Sequence, residues 1–217
     1  MCHAGIDVEY AKEKGIPVSG TGSGGNATIE HIWALIMAVA RDIVKEHNNV
    51  RSSRPQWQNS VPVGLQGKTL GLIGLGRLGS ETARIAKVFG MRTIGWSPHL
   101  TSERAATAGV EFIASKEELL KQSDIVSIHM VLSESTKELI GPDDFKLMKP
   151  SVLFINTSRG PLVDEEALIE ALRSGKIASA GLDVFDQEPL PLDHPLRRQE
   201  NVTLSPHNAY VNDTNYE

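Results

Sequence analysis

Cysteine is nearly absent from this sequence of 217 residues, since Cys2 is its only one. A single cysteine excludes a disulfide framework and a zinc site built on thiolates. Long hydrophobic runs are also missing, because the longest, residues 32–40, is too short to span a bilayer. No basic and apolar tract follows Met1, so we predict no signal peptide. We therefore expect a cytoplasmic protein without a membrane partner.

An excess of positive charge is lacking as well. The chain has 22 Lys and Arg residues against 27 Asp and Glu residues, which gives a formal net charge of −5. Without a basic stripe to neutralise phosphates, we expect no nucleic acid as a main partner. The hydrophobic fraction of 40% and the charged fraction of 23% are ordinary for a globular protein. The length suffices for one full domain and part of a second.

The sequence is organised around residues 68–79. Residues 70–73 form an apolar run that predicts a short strand buried on both faces of a sheet. The run leads into Gly74-x-Gly76-x-x-Gly79, and then into a segment with helical spacing of apolar residues. Strand, glycine turn and helix in this order predict dinucleotide binding, because the glycines let backbone approach a pyrophosphate at the helix N-terminus. A purely structural glycine turn is the alternative.

Predicted strands and helices alternate from Lys68 onward. This alternation predicts an α/β fold, with a doubly wound parallel sheet of the Rossmann type and right-handed crossovers. Ligands of such sheets bind at the carboxyl ends of the strands. Further strands are predicted at residues 92–96, 110–113, 124–129, 151–156, 178–184 and 201–204.

The first third of the sequence has a different pattern. Residues 7–14 predict a helix, and the glycine- and serine-rich residues 19–25 predict either an inter-domain linker or an ordinary surface loop. Residues 26–47 predict one long helix with a wide apolar stripe, which is typical of a core face or of a subunit interface. Residues 48–66, with Trp57, look like an extended arm.

Ser97 follows the second predicted strand, where a dinucleotide-binding protein places the residue that holds the adenosine ribose. Serine bonds a hydroxyl but does not repel a 2′-phosphate as a carboxylate does. The sequence therefore favours NAD only slightly over NADP. The alternative is that Ser97 only begins a Ser-Pro turn.

Three further loops carry polar residues suited to acid–base chemistry, each directly after a predicted strand: Arg159, Glu188 and His207. Arginine holds a carboxylate bidentately, and histidine is a natural proton donor near pH 7. A glutamate bonded to a histidine raises the pKa of the histidine and fixes its orientation. The set suits hydride transfer to a 2-keto acid. Taken singly, each residue has a plain alternative as a surface arginine, a solvated acid or a loop histidine.

The combined motifs resemble the D-isomer-specific 2-hydroxyacid dehydrogenase family, which includes glycerate and phosphoglycerate dehydrogenases and glyoxylate reductases. The resemblance covers nearly the whole chain in the order of the family. The residues that carry it are Gly67-Lys68-Thr69-Leu70-Gly71 with the glycine turn, Met148-Lys149-Pro150, Asn156-Thr157-Ser158-Arg159-Gly160, Gly181-Leu182-Asp183-Val184-Phe185, Glu188-Pro189 and Pro206-His207.

The resemblance implies roles for individual residues. Arg159, Glu188 and His207 fall on the catalytic arginine, glutamate and histidine positions. The cofactor is expected to contact the glycine turn, a loop beside the nicotinamide, an acid near its carboxamide, the adenosine side and the catalytic histidine. Those contacts would come from Gly74, Gly76, Arg77, Leu78, Gly79, Ser97, His129, Val131, Thr157, Ser158, Arg159, Asp183 and His207. No metal is expected.

The resemblance also implies a domain division. Residues 26–210 are expected to form the dinucleotide-binding domain with its dimerisation helix and arm. Residues 1–25 are expected to be a remnant of a substrate-binding domain and linker, and residues 211–217 the start of a segment that returns to that domain. Without the rest of that domain, substrate positioning and exclusion of water should be largely lost.

The activity expected from this resemblance is D-specific hydride transfer between NAD(P)H and a small 2-keto or 2-hydroxy acid such as glyoxylate or hydroxypyruvate. The expected partners are that acid and a second copy of the chain in a homodimer. The alternative is a catalytically inactive NAD(P)-binding sensor or scaffold.

Overall fold

The computed structural model describes residues 7–19, 26–52, 55 and 57–213. The chain divides into two compact units. The larger unit is Ala27–Val211, and the smaller unit combines Met1–Asn26 with Asn212–Glu217. In the smaller unit, helix α1 (Val8–Glu13) is capped by Asp7, whose side chain accepts a hydrogen bond from the Tyr10 backbone N–H at 2.9 Å. The predicted helix near the start is thus confirmed. Most of the predicted glycine- and serine-rich segment lies outside the described residues.

The larger unit is built on a sheet of seven strands: β1 (Thr69–Ile73), β2 (Arg92–Trp96), β3 (Glu111–Phe112), β4 (Ile125–Ile128), β5 (Leu153–Asn156), β6 (Ser179–Leu182) and β7 (Val202–Leu204). The strands are all parallel to their neighbours and lie in the spatial order β3-β2-β1-β4-β5-β6-β7. The predicted doubly wound α/β fold is confirmed. Every residue of the first, fourth and fifth strands is buried, as the apolar runs of a sheet covered on both faces require.

Helices cover both faces of the sheet and enclose a core on each. The helices of the larger unit are α2 (Ala27–Ala40), α3 (Ile43–Arg51), α4 (Arg77–Val88), α5 (Ser102–Thr107), α6 (Lys116–Gln122), α7 (Pro142–Leu147) and α8 (Glu165–Arg173). Side chains of α2, α4 and α5 belong to one core, and those of α6, α7 and α8 belong to the other. In the second core, the rings of Phe145 and Phe154 meet edge to face at 5.5 Å, a contact that contributes about 1 kcal/mol beyond its buried area.

The single helix predicted over residues 26–47 is wrong, because the chain forms two helices there. Between α2 and α3 the backbone of Asp42 takes a left-handed conformation with φ of 51°. Aspartate tolerates this conformation better than most residues, and no glycine or proline marks the break in the sequence. The break redirects α3, on which Ile43 and Val50 are exposed.

Candidate active site

The loops predicted to carry function leave the sheet at one edge, because all seven strands are parallel. The strand order reverses between β1 and β4, and in doubly wound sheets the crevice at this reversal is where ligands bind. The glycine turn follows β1, and residues 129–131 follow β4. The loops that begin at Thr157, Asp183 and Ser205 follow β5, β6 and β7.

The three glycines of the turn have different surroundings. Gly74 has a left-handed backbone with φ of 99°, and its N–H donates to the Trp96 carbonyl at 2.8 Å. A Cβ on Gly79 would lie 2.3 Å from the Gly74 carbonyl oxygen, so Gly79 permits close helix packing. A Cβ on Gly76 would meet nothing within 4 Å. Gly76 therefore leaves open space in front of the N-terminus of α4, as a bound pyrophosphate requires.

The segment after β4 lies against this turn. The Cδ2 atom of His129 is 3.6 Å from where a Gly79 Cβ would stand. Both ring nitrogens of His129 are buried and have no hydrogen-bond partner in the described part of the chain. Burial lowers the pKa of His129 to about 4, so the ring is neutral near pH 7. Val131 is 64% exposed, which leaves an apolar surface beside the turn.

Ser97 lies at the end of β2, on the same edge of the sheet. Its carbonyl accepts a hydrogen bond from the Leu100 N–H at 3.1 Å, so the chain turns here, as the Ser-Pro alternative predicts. The guanidinium of Arg104 donates to the His99 carbonyl at 3.4 Å, which brings a cation close to this turn. The local environment therefore contains a cation and no carboxylate between Ser97 and Leu100.

The loop of Thr157, Ser158 and Arg159 is held by Asn156, the last residue of β5. The Asn156 amide accepts from the Ser158 N–H at 3.0 Å and donates to the Arg159 carbonyl at 2.9 Å. The Ser158 hydroxyl donates to the Ile128 carbonyl of β4 at 2.7 Å. Thr157 is buried, whereas the exposed Arg159 side chain donates to the Ser158 carbonyl at 2.6 Å. Arg159 therefore lies on a loop whose backbone is held by hydrogen bonds to Asn156 and to β4.

Glu188 and His207 meet directly. Nδ1 of His207 lies 2.5 Å from one carboxylate oxygen of Glu188, and the other oxygen accepts from the Phe185 N–H at 2.9 Å. With Nδ1 bonded to Glu188, Nε2 is the nitrogen that can exchange a proton with a substrate. His207 has a left-handed backbone with φ of 52°, and such conformations are concentrated at functional sites.

Asp183 anchors the loop that carries His207. Its fully buried carboxylate accepts from the Ser205 hydroxyl at 2.6 Å and from the N–H groups of Asn208 and Ala209 at 3.1 and 3.0 Å. Nε2 of His31, on α2, lies 3.2 Å from the same carboxylate. Burial favours the protonated acid, but these hydrogen bonds outweigh it and lower the pKa of Asp183. Asp183 is ionised at neutral pH and orients the loop around it.

The structure brings the Arg159 loop against the Glu188 loop. A Cβ on Gly160 would lie 2.1 Å from the carbonyl carbon of Phe185, so the two backbones touch. Glu188 and His207 are each about one-third exposed. Two open grooves lie elsewhere: one of about 530 Å³ is between α3 and the segment around β7, and one of about 580 Å³ is between Lys45, α8 and residues 193–201. The candidate catalytic pair therefore lies on an open surface.

The sequence indicated no role for four residues that hold these loops in place: Asn156, His31, Glu165 and His194. Asn156 had a local signal, because a polar amide ending an apolar strand is typical of a side chain that bonds the following loop. The others interact with residues 21 to 174 positions away, and no sequence spacing indicates such contacts.

Neither a metal site nor a membrane span is found in the part of the chain that the structure describes. No group of three or more His, Cys, Asp or Glu side chains there could hold a metal ion. No helix among the same residues is long and apolar enough to cross a membrane.

Residues 33–209 match the family model described as D-isomer specific 2-hydroxyacid dehydrogenase, NAD binding domain. The chain is 47% identical over 212 residues to a glyoxylate reductase of Aeropyrum pernix, an alignment that covers 94% of this chain and 63% of that enzyme. It thus spans less than two thirds of the length of this relative.

Solved structures agree with this match. The chain superposes on a phosphoglycerate oxidoreductase from Vibrio cholerae O395 with a TM-score of 0.90 and 31% identity, covering all of this chain and 70% of that one. It superposes on a D-lactate dehydrogenase with NAD⁺ from Lactobacillus jensenii with a TM-score of 0.82 and 30% identity, covering 99% and 68% of the two chains.

Proposed function

Because the chain belongs to the D-isomer specific 2-hydroxyacid dehydrogenase family, we propose that it binds a nicotinamide dinucleotide and serves hydride transfer to a small 2-keto acid. The observation that carries the proposal is the direct contact of Glu188 with His207, on the sheet edge that also holds the glycine turn. A proton donor held by a carboxylate is what reduction of a carbonyl requires beside a hydride source.

The residues of the turn fit such a cofactor. Gly76 leaves room at the start of α4, whose first N–H groups have no partners within the helix. Arg77 and Leu78 open the helix and would meet the pyrophosphate through their backbone. His129 and Val131 would line the adenosine side. We place Thr157, Ser158 and Asp183 around the nicotinamide end, with Asp183 acting through the loop that it anchors.

The residues after β5, β6 and β7 would move the proton and hold the substrate. When bound, the reduced nicotinamide supplies a hydride to the carbonyl carbon of the 2-keto acid. Arg159 would bind the carboxylate and the carbonyl oxygen of the acid, because its fork of N–H groups matches paired oxygens. His207 would donate the proton on Nε2 to that oxygen as it becomes a hydroxyl. Glu188 would accept a hydrogen bond from Nδ1 of His207 and keep the ring oriented.

We propose NAD as the preferred cofactor, with NADP accepted. Ser97 bonds a ribose hydroxyl without the charge that would repel a 2′-phosphate, and the cation of Arg104 lies close to the same turn. For the substrate we propose glyoxylate or hydroxypyruvate, supported by the relatives named glyoxylate reductase that are 41–47% identical to this chain.

We also propose a domain division and a homodimer. Residues 26–210 would form the cofactor domain, and residues 1–25 and 211–217 would belong to a substrate-binding domain; the division into compact units supports this. Exposed apolar side chains on α3 and the following arm, with Trp57 77% and Val61 91% exposed, support a subunit interface. Sedimentation should detect a dimer that Trp57→Ser weakens and that Val88→Ser, on α4, does not.

Titration of the purified chain with NADH and NADPH, followed by rate assays on glyoxylate and hydroxypyruvate, tests the function. We expect both cofactors to bind and the His207→Ala variant to bind NADH but reduce neither acid. Binding by the parent without turnover would support the second candidate, a cofactor-binding sensor or scaffold. If neither cofactor binds, the proposal is refuted.

A further inference from the structure

Glu165, the first residue of α8, forms a hydrogen bond with the loop that carries Glu188. One carboxylate oxygen of Glu165 accepts from the Asp186 N–H at 3.3 Å, and the other lies 3.0 Å from Nε2 of His194. Both side chains of the Glu165–His194 pair are more than four-fifths buried. The pair is thus shielded from water, and its geometry is set by the surrounding chain.

The hydrogen bonds of His194 fix its tautomer. Nδ1 accepts a hydrogen bond from the Leu196 N–H at 3.3 Å and therefore carries no proton. The proton of the neutral ring is on Nε2, where it is donated to Glu165. His194 consequently connects the short helical turn Pro195–Arg198 to α8 and directs the free oxygen of Glu165 at the Asp186 N–H.

The backbone between Phe185 and Asp186 is confined from two sides. Gly160 lies against it so closely that a Cβ there would be 2.1 Å from the Phe185 carbonyl carbon and 2.6 Å from the Asp186 nitrogen. Glu165 bonds the same nitrogen. The N–H of Phe185, on the preceding peptide unit, donates to Glu188 at 2.9 Å. A shift of this peptide unit would therefore move Glu188 away from His207.

We propose that Glu165 and His194 are positioning residues for the Glu188–His207 pair. They hold the peptide unit between Phe185 and Asp186 against Gly160, which places the Glu188 carboxylate within reach of Nδ1 of His207. This proposal rests on the proposed function, in which that pair supplies the proton.

Carboxylates around Asp186, Glu165 among them, also act on this loop electrostatically. Partial burial, followed by the negative charges of Glu165, Glu138 and Asp164, raises the pKa of Asp186 to about 6, and Lys137 acts in the opposite direction. The Glu165 carboxylate is thus close enough to influence the loop electrostatically as well as through its hydrogen bond. Replacing Glu165 with glutamine should lower the pKa of Asp186.

The test observes the ring nitrogens of His207 and their protons in the purified chain by ¹⁵N and ¹H NMR. A His207→Gln variant assigns the signals. In the parent, the Nδ1 proton should resonate far downfield, because it is bonded to a carboxylate at 2.5 Å. Glu165→Gln and His194→Ala should weaken or abolish this signal. His194→Gln should restore it, because the glutamine amide can replace the Nε2–H donor.

Glu166→Gln is the matched control. Glu166 lies on the same first turn of α8, is exposed, and its replacement removes the same charge without removing a hydrogen bond seen in the described chain. It should leave the His207 signal unchanged. Amide hydrogen exchange at Phe185 and Asp186 should accelerate in Glu165→Gln and not in Glu166→Gln. Where the chain turns over glyoxylate, kcat should fall about tenfold in Glu165→Gln with an unchanged KM for NADH.

An unchanged His207 signal in folded Glu165→Gln or His194→Ala would overturn the proposal, and so would an equal loss in Glu166→Gln. If Glu165→Gln does not fold, the His207 signals of His194→Ala and His194→Gln, compared with each other, test the positioning role without it. NADH titration separates the two claims. If the chain binds no NADH but the His207 signal responds to the variants as expected, the proposed function is refuted and the positioning role is supported.

Discussion

The carboxylate of Asp183 is fully buried and accepts hydrogen bonds from two loop N–H groups and a hydroxyl. Its sequence context indicated a cofactor contact, whereas its oxygens in the structure are directed at the loop of His207. Buried carboxylates are stable only when such donors compensate for lost hydration. At the scale of the single residue, Asp183 therefore sets the conformation of the loop that carries His207, and under the proposed function it would act on catalysis only through that loop.

Replacing Asp183 with asparagine should destabilise the fold by about 3 kcal/mol at pH 7, because an amide N–H would face the Ala209 N–H. The folded state lowers the pKa of Asp183, so its ionised form adds stability above the unfolded-state pKa of about 3.8. That contribution is lost as the pH falls through the lower, folded-state pKa. Urea unfolding at several pH values should show the deficit narrowing in acid. An unchanged midpoint at pH 7 would contradict the anchoring role.

Asp186 presents the opposite case, because its folded-state pKa is raised to about 6. The folded protein then binds a proton that the unfolded chain releases near pH 3.8. Stability from this residue is present in acid and is lost as the pH rises through 6. Asp186→Asn should therefore raise the urea midpoint at pH 8, and the gain should shrink as the pH falls towards 4.

Asp193→Asn is the matched control for that experiment, since Asp193 is exposed on the segment before Pro195–Arg198. Its replacement should leave the pH dependence of unfolding unchanged. A gain for Asp186→Asn that is equal at pH 4 and pH 8 would show that charge on Asp186 is not the cause.

At the scale of the element, the unit of β1, glycine turn and α4 shows how a short motif determines packing. Gly79 lets the first turn of α4 approach the carbonyl of Gly74, where any Cβ would stand at 2.3 Å. Gly79→Ala should thus destabilise the fold by about 1–3 kcal/mol, because backbone must move to relieve the overlap. Thermal or urea unfolding measures this change, and an alanine tolerated without loss would contradict the close approach.

Elements defined by local signals were predictable. Asp164 caps α8 by accepting from the Ala167 N–H at 3.0 Å, and Gly175 takes a left-handed conformation two residues beyond the last helical residue, which are local start and stop signals of a helix. The break at Asp42 was not predictable, because neither glycine nor proline marks it. Of the two helices only α2 contributes side chains to the core, and the apolar residues that continue the pattern into α3, such as Ile43 and Val50, are exposed.

At the scale of the whole molecule, the parallel sheet followed from sequence because strands buried on both faces are continuous apolar runs. Candidate residues at the ends of those strands followed from the same pattern, since parallel strands end at one edge. The side chains that hold these strand-end loops in place could not be predicted from the sequence. Glu165 and His194 are 29 positions apart, and only the path of the chain between them brings them together.

Titration of the chain with NADH, comparing the parent with Gly76→Ala, tests the central claim most directly. A Cβ on Gly76 meets no protein atom within 4 Å, so the variant should fold and unfold like the parent. The added methyl group would occupy the space we assign to the pyrophosphate, and NADH should bind at least about tenfold more weakly, a loss of about 1.4 kcal/mol. Equal NADH affinity in the two proteins, or no binding by the parent, would contradict a dinucleotide site at this turn.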